Sequence, residues 1–430
     1  MESKEEKISG ELKISREEEK KFEDLIKNIP EYKEWIEKNL KSDISEILKI
    51  IMGGAVNLEA SDIHIEPLPK ETKMRIRVDG VLQDVMVFEK KLYERLLSRI
   101  KLISGMKLNV SDRPQDGHFS VISSLAFEIR VSVLPSEYGE SIVMRILNPK
   151  SLIDLEELGL RDDLLKIFER EIKKTNGMII VTGPTGSGKT TTLYAILRKI
   201  RKPEIKIITI EDPIEYKLEG ITQTQVRPKV GYSFATGLRA IVRQDPDVIL
   251  VGEIRDSETA KIALQAALTG HLVLTTLHTN DAAGVIIRLQ ALGGELINIA
   301  PAINMAIAQR LVRKVCKNCV KYETPTKEER EKIKKAFEKI GKEVPKFEKI
   351  PKIVGCKNCN FTGYKGRSGI FEIFLVDDEL EKFVLSSPSV ASLKEKLIKK
   401  GMVPIYQDGL LKVIKGETTI EEVERVAFEE

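Results

Sequence analysis

An α/β fold built on a largely parallel sheet is predicted by three observations. The short apolar runs "MIIVT", "IKIITI", "DVILV" and "LVLTTL" have the length and continuous apolarity of strands buried on both faces. Helical stretches lie between them: "TTTLYAILRKI", "FATGLRAIVRQ" and "ETAKIALQAALTG". That alternation is the signature of βα units. The first run also leads directly into a glycine-rich loop with a helix behind it.

Ahead of this core, residues 1–42 are highly charged, with sparse apolar positions such as Phe22, Leu25, Ile26 and Trp35. They read as helical segments or a solvated tail. From Asp43, a possible cap, "DISEILKIIMGGAVNLEA" has helical spacing. "SDIHIEP", "TKMRIRVDG" and "VLQDVMVF" then alternate like strands, with Asp79-Gly80 as a hairpin turn. A helix, "KKLYERLLSRIKLISG", precedes further strands in "HFSVISSLAFEIRVSVLP" and "SIVMRIL". Residues 43–150 are thus expected to form an α+β domain, and 151–315 the α/β core. Residues 316–374 hold the four cysteines and a Lys/Glu-rich helical insert, and 375–430 read as a helical C-terminal region.

Of the 430 residues, 42% are apolar and 32% charged, as in a folded, charge-rich globular protein. Lys plus Arg is 70 and Asp plus Glu is 66, leaving +4. This near-balance gives no support to a general nucleic-acid or anionic-membrane binder. No apolar h-region opens the sequence, so no signal peptide is expected. No run approaches the roughly 18 apolar residues of a spanning helix. A cytoplasmic protein, peripheral to a membrane through a partner, is expected.

The glycine-rich loop carries the first chemistry. Gly183, Gly188, Lys189 and Thr190 satisfy G-x-x-x-x-G-K-[ST], so the core is predicted to be a P-loop domain. The loop Gly183, Pro184, Thr185, Gly186, Ser187, Gly188, with Lys189, Thr190 and Thr191 behind it, would turn backbone N–H groups toward the phosphates of ATP. Lys189 would reach the β/γ phosphates, and the Thr190 hydroxyl would ligate Mg²⁺. A second acidic strand end is needed nearby. "DPDVILVGEIRD" provides Glu253, with Gly252 in the slot where an Asp commonly comes. "IKIITIEDPIEY" provides Glu211, with Asp212 and Glu215 close by; Asp212 could instead belong to a turn with Pro213. His271 and His278 bracket "LVLTT", and on residues alone they read either as core histidines or as phosphate sensors.

Cys316, Cys319, Cys356 and Cys359 form two C-x-x-C knuckles, each able to offer two thiolates to a tetrahedral Zn²⁺. The 36 residues between Cys319 and Cys356 exceed the spacing of short zinc ribbons, but a helical insert can fold back. Four thiolates would close the shell, which predicts a structural ion.

"GPTGSGKTTTLY", "IEDPIEY", "GLRAIVRQDPDVILVGEIRDSETA" and "TGHLVLTTLHTNDAAG" together resemble the Walker A, aspartate, Walker B and histidine boxes of type II secretion and type IV pilus assembly ATPases. "SDIHIEP" and "DGLLKVIKGETTIEEVERV" extend the resemblance over residues 43–430. It implies a RecA-like core in a homohexameric ring at the cytoplasmic face of the inner membrane. There, platform proteins of a secretion or pilus system would be its partners, and ATP its fuel. It implies that Glu253 activates water with help from Glu211, and that His271 and His278 sense nucleotide. It also implies that Arg130 and Arg145, in "FEIRVSVLPSEYGESIVMRIL", contact the γ-phosphate on closure. Arg239, Arg243 and Arg288 are further candidates for intersubunit or nucleotide contacts. The cysteines favour the assembly branch over retraction. Two other readings remain open on sequence: a DNA- or substrate-export ATPase, and a non-catalytic nucleotide-binding scaffold.

Overall fold

The structure, a computed structural model, describes residues 10–124, 126–149 and 152–427. The first nine residues of the charged segment and the expected boundary at 150/151 lie outside the described residues. The chain divides into two compact units. One comprises Met1–Ser151, Cys316–Val320 and Ile353–Lys365; the other comprises Leu152–Val315, Lys321–Lys352 and Gly366–Glu430.

The first unit opens with β1 (Glu11–Lys13), α1 (Arg16–Leu25) and α2 (Ile29–Lys38). Ser15 and Glu18 close a capping box on α1, and Asn28 caps α2 by accepting from the Glu31 amide. Phe22, Ile26, Tyr32 and Ile36 are buried, so the described part of this segment is packed structure and not a solvated tail. The apolar positions recur every four residues and lie on one face of each helix. Next comes α3 (Ile44–Asn57), capped by Asp43. Its Gly53 and Gly54 face the rings of Phe22 and Tyr32; a Cβ on either would fall 2.2 or 2.3 Å from those rings.

The strands follow: β2 (Asp62–Pro67), β3 (Thr72–Val78) and β4 (Val81–Phe88), then α4 (Lys90–Ile103), then β5 (Gln115–Ile122), β6 (Ala126–Ser136) and β7 (Gly139–Leu147). They form one sheet in the order β1-β5-β6-β7-β2-β3-β4. Asp79 and Gly80 turn the β3–β4 hairpin with φ of 50° and 81°. Alternation buries Ile63, Ile76, Ile129, Val131, Met144 and Ile146 on one face. Residues directly opposite across an antiparallel pair share a face. The register therefore sets Arg77, Asp62, Arg145, Arg130 and His118 in a row across five strands of the other face.

The second unit begins with α5 (Asp162–Glu171), β8 (Gly177–Thr182) and α6 (Lys189–Ile200), followed by β9 (Ile207–Glu211) and β10 (Thr222–Gln225). Then α7 (Phe234–Val242), β11 (Val248–Val251), α8 (Ser257–Leu268) and β12 (Leu272–Leu277) alternate. The helices α9 (Gly284–Ala291) and α10 (Leu296–Ala302) lead into β13 (Ile303–Val315). A small excursion holds β14 (Lys321–Glu323), α11 (Lys327–Glu338) and β15 (Ile350–Lys352). The chain then runs through β16 (Tyr364–Leu375) and closes with α12 (Asp378–Leu385), α13 (Val390–Lys399), α14 (Ile405–Ile414) and α15 (Ile420–Val426). Sheet order is β10-β9-β11-β12-β8-β13-β16. Strands β10, β9, β11, β12, β8 and β13 pair in parallel, which confirms the α/β expectation. Every residue of β8 and β12 is buried, as a strand covered on both faces requires. Among the described residues, no helix is long and apolar enough to cross a membrane.

Glu422 ties the terminal helix to this sheet. Its carboxylate accepts from the Arg313 amide at 2.9 Å and Arg313 Nη2 at 2.7 Å, and from Arg425. Burial pushes its pKa up, but the Arg425 and Arg313 bonds outweigh that and leave it below the ordinary glutamate range. A depressed folded-state pKa adds stability above the unfolded value and loses it as pH falls through the folded one. Glu422→Ala, which removes charge-assisted bonds to Arg313 and Arg425, is expected to cost about 1.5–3 kcal/mol at neutral pH. In urea melts the deficit should shrink in acid; a deficit independent of pH would show that the charge has no part in it.

Candidate functional site

The parallel sheet gathers five segments at the carboxyl edge of its strands, where ligands of open α/β sheets sit. In spatial order they are Glu211 (end of β9), Glu253 (after β11), His278 (after β12), the loop from Gly183 (after β8) and Gln309–Arg310 (on β13).

The loop between β8 and α6 is open at Pro184, Thr185 and Gly186. Gly183 and Gly188 have φ of 142° and 88°, where a side chain is strained. Strand β13 imposes a second demand. A Cβ on Gly183 would lie 2.5 Å from the Gln309 carbonyl oxygen, and one on Gly188 would lie 2.8 Å from Gln309 Nε2. Gln309 is 1% exposed and accepts from Thr192 Oγ1 at 2.7 Å.

Lys189 Nζ donates to the carbonyls of Gly183 at 2.9 Å and Pro184 at 3.0 Å. Burial pushes its pKa down; Glu253 pulls it up and Arg310 pushes it down further. The buried Ser187 Oγ has no hydrogen-bond partner among the described residues. A half-buried ammonium bonded only to carbonyls and an orphaned hydroxyl, on a loop with inward glycines, fit a phosphate chain. Thr190, in the first turn of α6, is exposed, and Thr191 is half-buried; a hydroxyl so placed can reach a phosphate-bound Mg²⁺.

Glu253 is 13% exposed, bonds Arg255, and lies 3.4 Å from His278 Nε2. The turn that presents it is fixed on both sides. The Gly252 amide donates to the Ile210 carbonyl at 2.8 Å, and Thr276 Oγ1 donates to the Gly252 carbonyl at 2.7 Å. At Gly252, in the slot where an Asp commonly comes, a Cβ would press to 3.3 Å from Glu211 Cα. Asp256, the last acid of that stretch, caps α8 through the Thr259 amide and hydroxyl.

Glu211, expected to assist Glu253, is bonded inward. It is 3% exposed; Tyr194 bonds one oxygen, and Thr209 at 2.6 Å and Gln223 at 3.2 Å bond the other. Burial pushes its pKa up, countered by those hydrogen bonds. His271 departs from its expected place. It precedes β12, which pairs Leu272 with Gly177 and Leu277 with Thr182, so only His278 emerges beside the loop. His271 stands at the amino edge, about 20 Å away along six residues of strand, with Nδ1 3.0 Å from the Ala266 carbonyl. Within one chain the two histidines cannot attend one nucleotide.

Arg130 and Arg145 face each other on β6 and β7 in the first unit, and Arg145 Nε donates to Asp62 at 3.0 Å. Arg239 pairs with Glu258, while Arg243 and Arg288 are exposed. The sequence reading missed Gln309 and Arg310; their only signal was an arginine-bearing apolar run after Pro301.

The cysteines meet as expected. All four Sγ atoms lie within 4.8 Å of one another, with Cys316–Cys356 at 3.9 Å and Cys319–Cys359 and Cys356–Cys359 at 3.8 Å. A tetrahedron of Zn–S bonds of about 2.3 Å has edges of about 3.8 Å. The amides of Cys356 and Gly363 point at Cys359 Sγ at 3.1 and 3.3 Å, as a thiolate's outer shell does. The residues therefore fit zinc.

A family model described as type II/IV secretion system protein matches residues 37–425. The sequence is 45% identical over 410 residues to the type II secretion system ATPase E of Vibrio cholerae, covering 95% of this chain and 80% of that protein. It is 42% identical over 387 residues to the type IV pilus assembly ATPase PilB of Thermus thermophilus, covering 89% of this chain and 43% of that protein. Among solved structures, it is similar to the pilus retraction motor PilT with bound ADP, with TM-score 0.59, 27% identity, and coverage of 89% of this chain and 97% of that one. The fold is also that of the Legionella pneumophila ATPase DotB, with TM-score 0.63, 24% identity, and coverage of 89% and 95%.

Proposed function

The chain belongs to the type II/IV secretion system protein family, and from that premise we propose that it hydrolyses Mg-ATP as a homohexameric motor. Its work would be assembly of pilin or pseudopilin fibres, done at the cytoplasmic face of the inner membrane on platform proteins there. The observation that carries the reading is the loop of Gly183–Lys189, phosphate-shaped and flanked at the same sheet edge by Glu253. The names of the similar proteins, a secretion ATPase and a pilus assembly ATPase, support it.

In this reading the loop amides hold the phosphates, and Lys189 leaves the Gly183 and Pro184 carbonyls to join them. The Thr190 hydroxyl would hold a phosphate-bound Mg²⁺, which would supply neutralising positive charge for the phosphates. Glu253 orients a water and takes its proton as the water oxygen bonds the γ-phosphorus and the bridge to ADP breaks. His278 steadies Glu253 from the next strand. Glu211, bonded inward, is a positioning residue that fixes the end of β9 through Tyr194 and Thr209. Arg130 and Arg145 bring guanidinium charge to the γ-phosphate on closure, and its loss after hydrolysis releases the clamp. Zinc is structural.

The test is phosphate release by pure protein. Turnover should be present, and Lys189→Ala should lower it by about 10²-fold or more. Equal turnover in the variant would refute the site.

A further inference from the structure

We propose that Arg310 is a further phosphate-binding residue of the nucleotide site, exchanging the carbonyl it now holds for a phosphate oxygen of a bound nucleoside di- or triphosphate. This rests on the reading of the Gly183–Lys189 loop as a nucleotide site.

Position comes first. Strand β13 pairs Ala308 with Thr182, so Arg310 emerges beside the start of the loop. Gln309 points to α6, where it meets Thr192, and alternation sends Arg310 to the other face. Its Nη1 lies 3.0 Å from where a Cβ on Gly183 would stand.

Charge comes second. Arg310 donates to the carbonyls of Asn280 at 2.9 Å and Gln309 at 3.3 Å, both neutral acceptors. The nearby acids are Glu372 and Asp281, and both are engaged elsewhere. Glu372 accepts from the amides of Ala282 at 2.9 Å and Ile405 at 3.3 Å. Asp281 accepts from the Gly284 amide at 2.8 Å and lies 3.6 Å from Lys394. Burial pushes the Arg310 pKa down, and Lys189 feels it as a repelling charge. Two half-buried cations thus flank one loop, each bonded to carbonyls. Such groups are costly without an anion, and a forked guanidinium is matched to phosphate.

The test is calorimetric titration of ATP and ADP into the full chain and its Arg310→Ala, Arg310→Gln and Arg310→Lys variants, with Lys189→Ala as control. Losing a charge-assisted bond should weaken both nucleotides about ten- to a hundredfold in Arg310→Ala. Arg310→Gln, which keeps a donor for Asn280 but no charge, should lose as much, and Arg310→Lys should recover part. Wild-type affinity in Arg310→Gln would make the residue a strut and overturn the proposal. If the unaltered chain binds no ATP, the nucleotide reading itself fails. If it binds, and only Lys189→Ala loses binding, the Arg310 proposal alone fails.

Discussion

Glu253→Gln should bind ATP nearly as well as the unaltered chain and turn it over about 10²–10⁴-fold more slowly, the usual range for removing a general base. Glu253 is the mostly buried carboxylate on the turn after β11, one strand from His278 and two from the phosphate loop. Its backbone is fixed to both neighbouring strands, so the amide replacement should sit in the same place. Glutamine keeps size and an acceptor but cannot take a proton. Lys189 would lose an attraction that Glu253 now provides, so a small change in affinity is expected alongside the large change in kcat. Phosphate release against nucleotide titration separates the two. A variant with turnover within about threefold of the original would reduce Glu253 to a counter-ion of Arg255, and the hydrolytic water would need another base.

That carboxylate could be found in the sequence because a strand buried on both faces has a plain signature, and so does the end of one. The same holds for Lys189, whose loop must spell out its glycines. Strand β13 could not be found that way. Its first half is apolar apart from Asn304, and Gln309, Arg310, Arg313 and Lys314 interrupt the rest. A buried glutamine is legible only once Thr192 is known to face it. Strand β10, "TQTQ", is an edge strand with no apolar pattern at all. His271 misled for a different reason: two histidines framing one strand lie close in sequence, but a strand carries its ends apart. Glu211 misled because an acid at a strand end can turn inward when Tyr194 and Thr209 wait there. In α1 and α2 the four-residue spacing was present among many charges. Its meaning depended on Gly53 and Gly54, whose missing side chains make room for the two rings.

Metal content offers the second large effect. The full chain should carry one zinc, and a Cys356→Ser, Cys359→Ser variant should carry none and lose hydrogen-exchange protection over 353–365. Four thiol sulfurs already stand at tetrahedral spacing. The backbone around them is strained: Asn360 and Phe361 have φ of 50° and 59°, which non-glycine residues adopt at a cost of about 1–3 kcal/mol each. The turn is closed by the Phe361 amide on the Cys356 carbonyl at 2.9 Å, and Asn360 Oδ1 accepts from the Ile29 amide at 2.7 Å. Most of the segment's other hydrogen bonds run within its own turn, as from the Thr362 hydroxyl to the Cys359 carbonyl at 2.6 Å, and Ile353, Val354 and Phe361 are exposed. Structural zinc contributes about 10–16 kcal/mol of apparent binding energy in small sites, enough to dominate that balance. Its removal should therefore melt the knuckle and loosen the start of α2, while α6 and the parallel sheet keep their protection. Full protection over 353–365 in the metal-free variant would mean that the cluster folds on its protein bonds alone.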